Sequence, residues 1–496
     1  MKLKKLKEQL VLAHLHGDGD INIKGIHTDS RQVSPGDLFI CLRGFTVDGH
    51  NFASRAVAQG AVAIVAEERL DVDAPQLIVP DTRRAMAVLS SYFFGNPTER
   101  IKLIGVTGTN GKTTTTHLIH HILTAWGKKA GLIGTIHMRL GERTVDMKNT
   151  TPEAVDLQRY FHEMEAAGAD YAVMEVSSHA LDMGRVRGCR YRTAIFTNLT
   201  QDHLDYHGTM ERYREAKGLL FSQLGNGYSP DKPVYAVLNA DDNASEYFAK
   251  RTAAQVITYG IDQRADVRAK NIIINGRETS FDVETFCGNI RLTLQLVGKF
   301  SVYNALAAIT CCLLEGVPLG IIKSGLEGIA GVDGRFERVD AGQRFTVLVD
   351  YAHTPDSLEN VLKTITEFAQ GRVFCVVGCG GDRDRAKRPL MAQIAVKYSD
   401  VTVLTSDNPR SEEPESILND MVTGLKNVDP ARYTVIADRR EAIGFAIQQA
   451  ASDDVVLIAG KGHETYQEIK GTRYDFDDRK VAHDALITRK RKGMKE

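Results

Sequence analysis

Short apolar runs recur along this chain, and most stop at a glycine or a polar cluster. In the middle of the chain, Ile101-Lys-Leu-Ile-Gly-Val106 runs into Thr107-Gly-Thr-Asn-Gly-Lys-Thr113, and helical periodicity follows from His117 to Trp126. Two strand-like runs precede it, Asp37 to Leu42 and Ala61 to Val65; two more follow, Tyr171 to Val176 and Thr193 to Thr197. A second series comprises Thr346 to Val349, Val373 to Val377, Val401 to Thr405 and Val455 to Ala459. Strands alternating with helical stretches predict mostly parallel sheets covered by helices, an α/β fold. The punctuation places three domains. Gly95-Asn-Pro-Thr98 reads as a linker closing residues 1–98, and Gly331-Val-Asp-Gly-Arg-Phe-Glu337 separates 99–336 from 337–496.

Length agrees with that division, since 496 residues exceed one ordinary core. A hydrophobic content of 43% with 25% charged residues describes a globular protein. The net charge of −1 argues against a dedicated binder of nucleic acid or acidic membranes. No apolar run approaches the ~20 residues of a membrane helix. The basic start, Met1 to Leu6, is followed only by Val11 to Leu15, too short for a secretory core. The seven cysteines are scattered without zinc spacing, so they read as reduced, mostly buried thiols. A cytoplasmic protein is the expectation.

The glycine loop carries the clearest chemistry. Backbone N–H groups of Gly108, Thr109, Asn110, Gly111, Lys112, Thr113 and Thr114 can close on phosphate oxygens at a helix N-terminus. Lys112 can reach the terminal phosphates of ATP, and the Thr113 hydroxyl can ligate magnesium. The long P-loop pattern asks for a further glycine where Val106 stands, so the shorter Gly-x-x-Gly-Lys-Thr form is present. Glu175 ends a strand and is suited to the same metal. His203 sits in Asn198-Leu-Thr-Gln-Asp-His203, where Asp202 and Asp205 make a ligand reading stronger than a capping one. Lys217 taken alone is an amphipathic-helix lysine.

With these motifs in order, the chain resembles the Mur ligases over essentially its whole length, and among them the enzymes that add the third amino acid of the peptidoglycan precursor. The marks are Thr107 to Thr113, Met174-Glu-Val-Ser-Ser-His179, Asn198 to His203, Tyr213 to Phe221, and Asn304 in Ser301-Val-Tyr-Asn304. To these are added Gly334-Arg-Phe-Glu337, Asp350-Tyr-Ala-His-Thr-Pro355, Gly380-Gly-Asp-Arg-Asp384, Asp407-Asn-Pro-Arg410 and Gly460-Lys-Gly-His-Glu464. The resemblance implies an N-terminal UDP-binding domain, a central P-loop ATPase-like domain and a C-terminal Rossmann-like domain.

It also implies roles. Lys217 takes up carbon dioxide as a carbamate (N6-carboxylysine); Thr113 and Glu175 hold one magnesium, and Glu175, His203 and the modified Lys217 hold or position a second. A neutral, desolvated amine is the form that reacts, and the product is an oxygen ligand for a hard cation. Asn304, Arg335, Asp350, Tyr351 and His353 approach the nucleotide. Ser30 meets uridine diphosphate; Asn149, Thr150, Thr151, Ser177 and Arg185 meet the sugar-peptide. Gly44-Phe45-Thr46 departs from the His-Gln of some relatives, and Met183 replaces a glutamine, so contacts there do not transfer.

Asp407-Asn-Pro-Arg410 read blandly is a helix-capping turn. In the family it marks selection of meso-diaminopimelate over lysine. Arg410 and Asn408 suit the second carboxylate. Glu464 and the Gly460 carbonyl suit the distal ammonium, Arg383 the other carboxylate, and Asp407 belongs to the same site. The implied reaction joins meso-diaminopimelate to UDP-N-acetylmuramoyl-L-alanyl-D-glutamate through an acyl phosphate, by a monomer. The alternatives are a lysine-adding ligase, a folylpolyglutamate synthase and a nucleotide-dependent switch.

Overall fold

The structure is a computed structural model describing residues 1–493 apart from 45, 46, 148, 228, 230, 276 and 277. Phe45 and Thr46 of the uridine-side reading therefore lie outside the described residues. Three large sheets follow one another along the chain. The first has 5 strands. Leu38–Ile40 and Ala63–Ala66 lie parallel at its centre, shorter or shifted relative to the runs read from sequence. Its covering helix Thr82–Phe93 packs against the central segment's Ala154–Ala166, and Ala154 and Val155 join its apolar core.

The central sheet has 11 strands, with Lys102–Thr107 flanked by Tyr171–Glu175 and Tyr191–Phe196, all parallel. Each of these three strands is almost wholly buried, which is why they read as continuous apolar runs. The sheet ends in antiparallel hairpins on both sides, His137–Leu140 with Arg143–Asp146 and Thr279–Thr285 with Gly288–Leu294. The apolar runs in the sequence did not reveal these hairpins, because their strands face water on one side and alternate polar with apolar.

The third sheet has 6 strands. Thr346–Asp350, Val455–Ala459, Val373–Val377 and Val401–Leu404 lie side by side and parallel. Their C-terminal ends release the loops Tyr351–Thr354, Gly460–Thr465, Gly378–Ala386 and Thr405–Glu413 toward the central segment. In an open parallel sheet, that end is where ligands bind.

Candidate functional site

The phosphate loop is built by sterics. Gly108 (φ 150°) and Gly111 (φ 85°) both have positive φ. A Cβ on Gly108 would collide with the Thr197 hydroxyl, and one on Gly111 with the Asn304 amide oxygen. The helix after the loop spans Lys112–Ala125, so it starts earlier than its periodicity showed. The opening turns are threonines, which carry no apolar signal but are buried. The Lys112 ammonium folds back to donate to the carbonyls of Gly108 (3.0 Å) and Thr109 (2.8 Å). Desolvation of its nitrogen lowers its pKa.

Glu175 is fully buried at the end of its strand. It accepts from the Thr113 hydroxyl (3.1 Å), the Thr135 backbone N–H (2.8 Å) and the Thr135 hydroxyl (3.0 Å). These donors are neutral, so the carboxylate faces the phosphate loop without a cation hydrogen-bonded to it. Thr135 was not singled out in the sequence. Its side chain also meets Thr150 at 3.1 Å, tying the 149–151 segment to that carboxylate.

Lys217 lies on the helix Met210–Ser222 with 1% exposure. Its amine donates to the Gly108 carbonyl at 2.7 Å and sits 4.4 Å from the Tyr213 ring centre. Tyr213 in turn meets the Thr109 hydroxyl at 3.2 Å. Burial, reinforced by the neighbouring Lys112 charge, pushes the Lys217 amine well below the ordinary lysine range. His203 has a left-handed backbone (φ 55°) and pairs with Asp202 at 3.2 Å. Its ring stands edge-on to His179, 4.8 Å between centres.

No three His, Cys, Asp or Glu side chains converge as a metal site among the described residues. Magnesium here would take its ligands from Thr113, Glu175, His203, a modified Lys217 and the nucleotide's own oxygens, in keeping with how it binds beside phosphates. The Glu175 carboxylate, accepting from neutral donors, fits such an ion.

This loop is touched at two further points, one from the 331–337 linker and one from the third segment. The Arg335 guanidinium donates to the Thr113 hydroxyl (3.0 Å) and lies 4.5 Å over the Tyr351 ring. Asp356, at the start of the helix Pro355–Phe368, accepts from the Asn110 side chain (2.8 Å) and the Thr200 hydroxyl (3.0 Å). Asp356 also escaped the sequence reading. Asp350 holds the Arg335 turn by accepting from the N–H groups of Phe336 (2.6 Å) and Ala352 (2.7 Å). The Tyr351 and His353 rings lie 4.6 Å apart between centres with their planes tilted by 58°, and Asn304 accepts from Thr115 at 3.3 Å beside Gly111.

On the sugar-peptide side, the Thr151 hydroxyl donates to the Glu175 carbonyl (2.9 Å) and accepts from the Ser177 N–H (3.0 Å). Arg185 donates to the Thr151 carbonyl (3.1 Å) and pairs with Glu153 (2.9 Å). Ser30 is buried in the short turn Ser30–Gln32 of the first domain, and Asn149 is exposed.

The remaining residues gather at the far loops of the third sheet. Arg410 (φ 51°) donates to the Gly381 carbonyl at 2.7 Å. Arg383 is exposed and donates to the Asp382 carbonyl at 2.9 Å. Asn408 donates to Glu464 at 2.7 Å, and Gly460, packed against Asp407, donates its N–H to the Asp350 carbonyl at 3.0 Å. That last bond joins the Gly460 loop to the residue that shapes the Arg335 turn.

A phosphate loop served by a buried lysine and carboxylate, and touched by a second α/β unit with a polar loop cluster, defines a nucleotide-dependent ligase built in three parts. Family models agree: the Mur ligase family catalytic domain matches residues 22–94, the Mur ligase middle domain 106–312 and the Mur ligase glutamate ligase domain 334–462. The chain is 56% identical over 467 residues to a Bacillus cereus protein named UDP-N-acetylmuramoyl-L-alanyl-D-glutamate--2,6-diaminopimelate ligase, covering 94% of each. It is 56% identical to the Geobacillus thermodenitrificans protein of the same name, covering 99% of this chain and 100% of that one. A solved structure with that title is 34% identical, with a TM-score of 0.68 over 99% of both chains. The chain belongs to the Mur ligase family.

Proposed function

We propose that this chain is the ATP-dependent ligase that joins meso-diaminopimelate to the D-glutamate of UDP-N-acetylmuramoyl-L-alanyl-D-glutamate. The observation that carries the reading is the meeting of two half-sites. The phosphate loop is lined by Lys112, Glu175 and Lys217 from the central segment, by Arg335 from the 331–337 linker and by Asp356 from the third segment. The third segment also bears the Asp407–Arg410 and Gly460–Glu464 loops.

The chemistry follows from these groups. Loop N–H groups and Lys112 hold the β- and γ-phosphates, and Arg335 and the Tyr351–His353 pair take the rest of the nucleotide. The substrate carboxylate attacks the γ-phosphorus, ADP leaves, and the amine then attacks the acyl carbon and expels phosphate. Lys112 counters the charge on the transferring phosphoryl group, and magnesium when bound would spread that charge further. Lys217 is suited to carbamate formation because its desolvated amine keeps a free lone pair. Nitrogen bonds to the carbon of carbon dioxide, one proton leaves, and the lysine becomes an anion. Thr113, Glu175, His203 and that anion are the proposed magnesium ligands. Thr150, Thr151, Ser177 and Arg185 face the peptide, with Ser30 toward the uridine diphosphate.

At the amine site, Arg410 and Asn408 take the second carboxylate of diaminopimelate, Glu464 and the Gly460 carbonyl the distal ammonium, and Arg383 the near carboxylate. The test is phosphate release from ATP with the nucleotide-peptide plus either meso-diaminopimelate or L-lysine. Release that needs both the peptide and diaminopimelate supports the reading. Release without an amine, or with lysine alone, overturns it.

A further inference from the structure

Lys461 is the one member of Gly460-Lys-Gly-His-Glu464 whose side chain is fully buried and to which the ligase reading assigns nothing. Its ammonium donates to the Asn408 side-chain oxygen (3.0 Å) and to Glu464 Oε2 (3.1 Å), and it lies 3.9 Å from Asp407. The Glu468 backbone N–H meets the same Asn408 oxygen at 3.0 Å. An ammonium and a backbone N–H can only donate, so the atom they share must be the amide oxygen. The amide nitrogen is thereby turned to Glu464, and it donates there at 2.7 Å.

Charge counting gives the second half of the argument. Asp407 and Glu464 bring two carboxylates to Lys461. The neighbouring Arg439 is already matched by Asp478 in a fully buried pair at 2.6 Å, while it donates to the carbonyls of Ser406 and Ala459 at the roots of both loops. The cluster therefore carries one surplus negative charge. Both Asn408 and Lys461 bond Glu464 through Oε2, and Oε1 takes part in neither bond. Burial and Asp407 raise the Glu464 pKa, and Lys461 opposes them. Tyr351, Tyr466 and Arg439 are the other ionisable groups within its field.

We propose that Lys461 is a positioning residue for amine recognition. It locks the Asn408 amide with its nitrogen available to an incoming carboxylate, and it leaves the pocket with one negative charge in excess, to be matched by the ammonium of a diamino acid. The inference rests on the amine-site reading above. A pocket without Lys461 would hold two facing carboxylates, one of which would take up a proton at a higher pH than in the wild type, so the charge facing the ammonium would change within the assayed range.

The experiment is steady-state kinetics of the full-length chain and Lys461→Met, with ATP, the nucleotide-peptide and meso-diaminopimelate or L-lysine, across pH 6 to 9.5. Losing a buried charge-assisted contact is expected to lower kcat/KM for the amine by about 20-fold or more. The acid limb of that profile should move up in pH, while KM for ATP and for the nucleotide-peptide stays within about threefold. Lys461→Met/Asp407→Asn, which restores the charge count but not the amide lock, should return the acid limb while kcat/KM stays low. A merely structural lysine would not move the limb. Unchanged amine kcat/KM and limb in Lys461→Met overturn the proposal. If that variant does not fold, the double variant decides: amine kcat/KM near wild type overturns it. Lysine also carries a distal ammonium, so a wild type that prefers lysine refutes the diaminopimelate reading while leaving Lys461 testable with lysine. A wild type that uses neither amine refutes both.

Discussion

The Lys217 amine lies 2.7 Å from the Gly108 carbonyl oxygen, the same oxygen that Lys112 approaches at 3.0 Å. Two lysines from different helices thus meet at one backbone acceptor at the root of the phosphate loop. Burial first, and then the Lys112 charge, push the Lys217 amine well below the ordinary lysine range, and burial also lowers Lys112. This convergence favours the neutral amine beside the loop, which is the form a carbamate-forming lysine requires.

Lys217→Ala should fold and lose most turnover, with kcat down by about 100-fold or more, as expected when a charged group near a transferring phosphoryl is lost. Small carboxylic acids such as formate or acetate should restore part of it by supplying the missing anion. Intact-mass measurement at high bicarbonate should find the wild type heavier by one carbon dioxide. Full activity of the variant would refute the role.

Lys112→Ala should cut turnover by about 100- to 1,000-fold. The melting temperature should change little, because among the described residues the lysine hydrogen-bonds two loop carbonyls, and the Gly108 carbonyl keeps Lys217 as a donor when Lys112 is gone. Unfolding of the variant, or near-normal turnover, would assign Lys112 to loop stability instead.

Arg410→Ala should cost ~1.5–3 kcal/mol in diaminopimelate use, roughly 10- to 150-fold in kcat/KM. Arg410→Lys should also be impaired, since an ammonium lacks the paired geometry. The Michaelis constants for ATP and nucleotide-peptide should change much less, and lysine should remain a poor acceptor. A variant that keeps its diaminopimelate preference would show the selector lies elsewhere.

Stability should fall in mild acid. Burial lowers His117 and His353 from 6.5 to about 4 in the folded chain. Between those values the unfolded chain binds protons that the folded one does not, so stability is full above pH 6.5 and is lost as pH falls toward 4. Each such histidine contributes about 3 kcal/mol of that loss by the lower end of the window. Urea midpoints measured from pH 7.5 to 4.5 check this, and His353→Gln should flatten the slope. A midpoint independent of pH in that range would contradict the burial of these rings.

Local order alone made much of this protein readable. Fully buried parallel strands need continuous apolar runs, so Lys102–Thr107, Tyr171–Glu175, Val373–Val377 and Val455–Ala459 announced themselves, and with them the loops at their ends. Gly108 and Gly111 were legible because only glycine tolerates those torsions against Thr197 and Asn304. Glu175 could be named from its place at a strand end, whereas Lys217 and Arg410 stood out only through the resemblance to the Mur ligases.

Tertiary structure decided the rest. Thr135, Asp356 and Lys461 owe their importance to partners 40, 246 and 53 residues away, namely Glu175, Asn110 and Asn408, and no local pattern encodes such distances. The lowered basicity of Lys217 likewise comes from the packing of its helix over the phosphate loop, because desolvation is a property of the folded surroundings and not of the lysine or its neighbours in sequence.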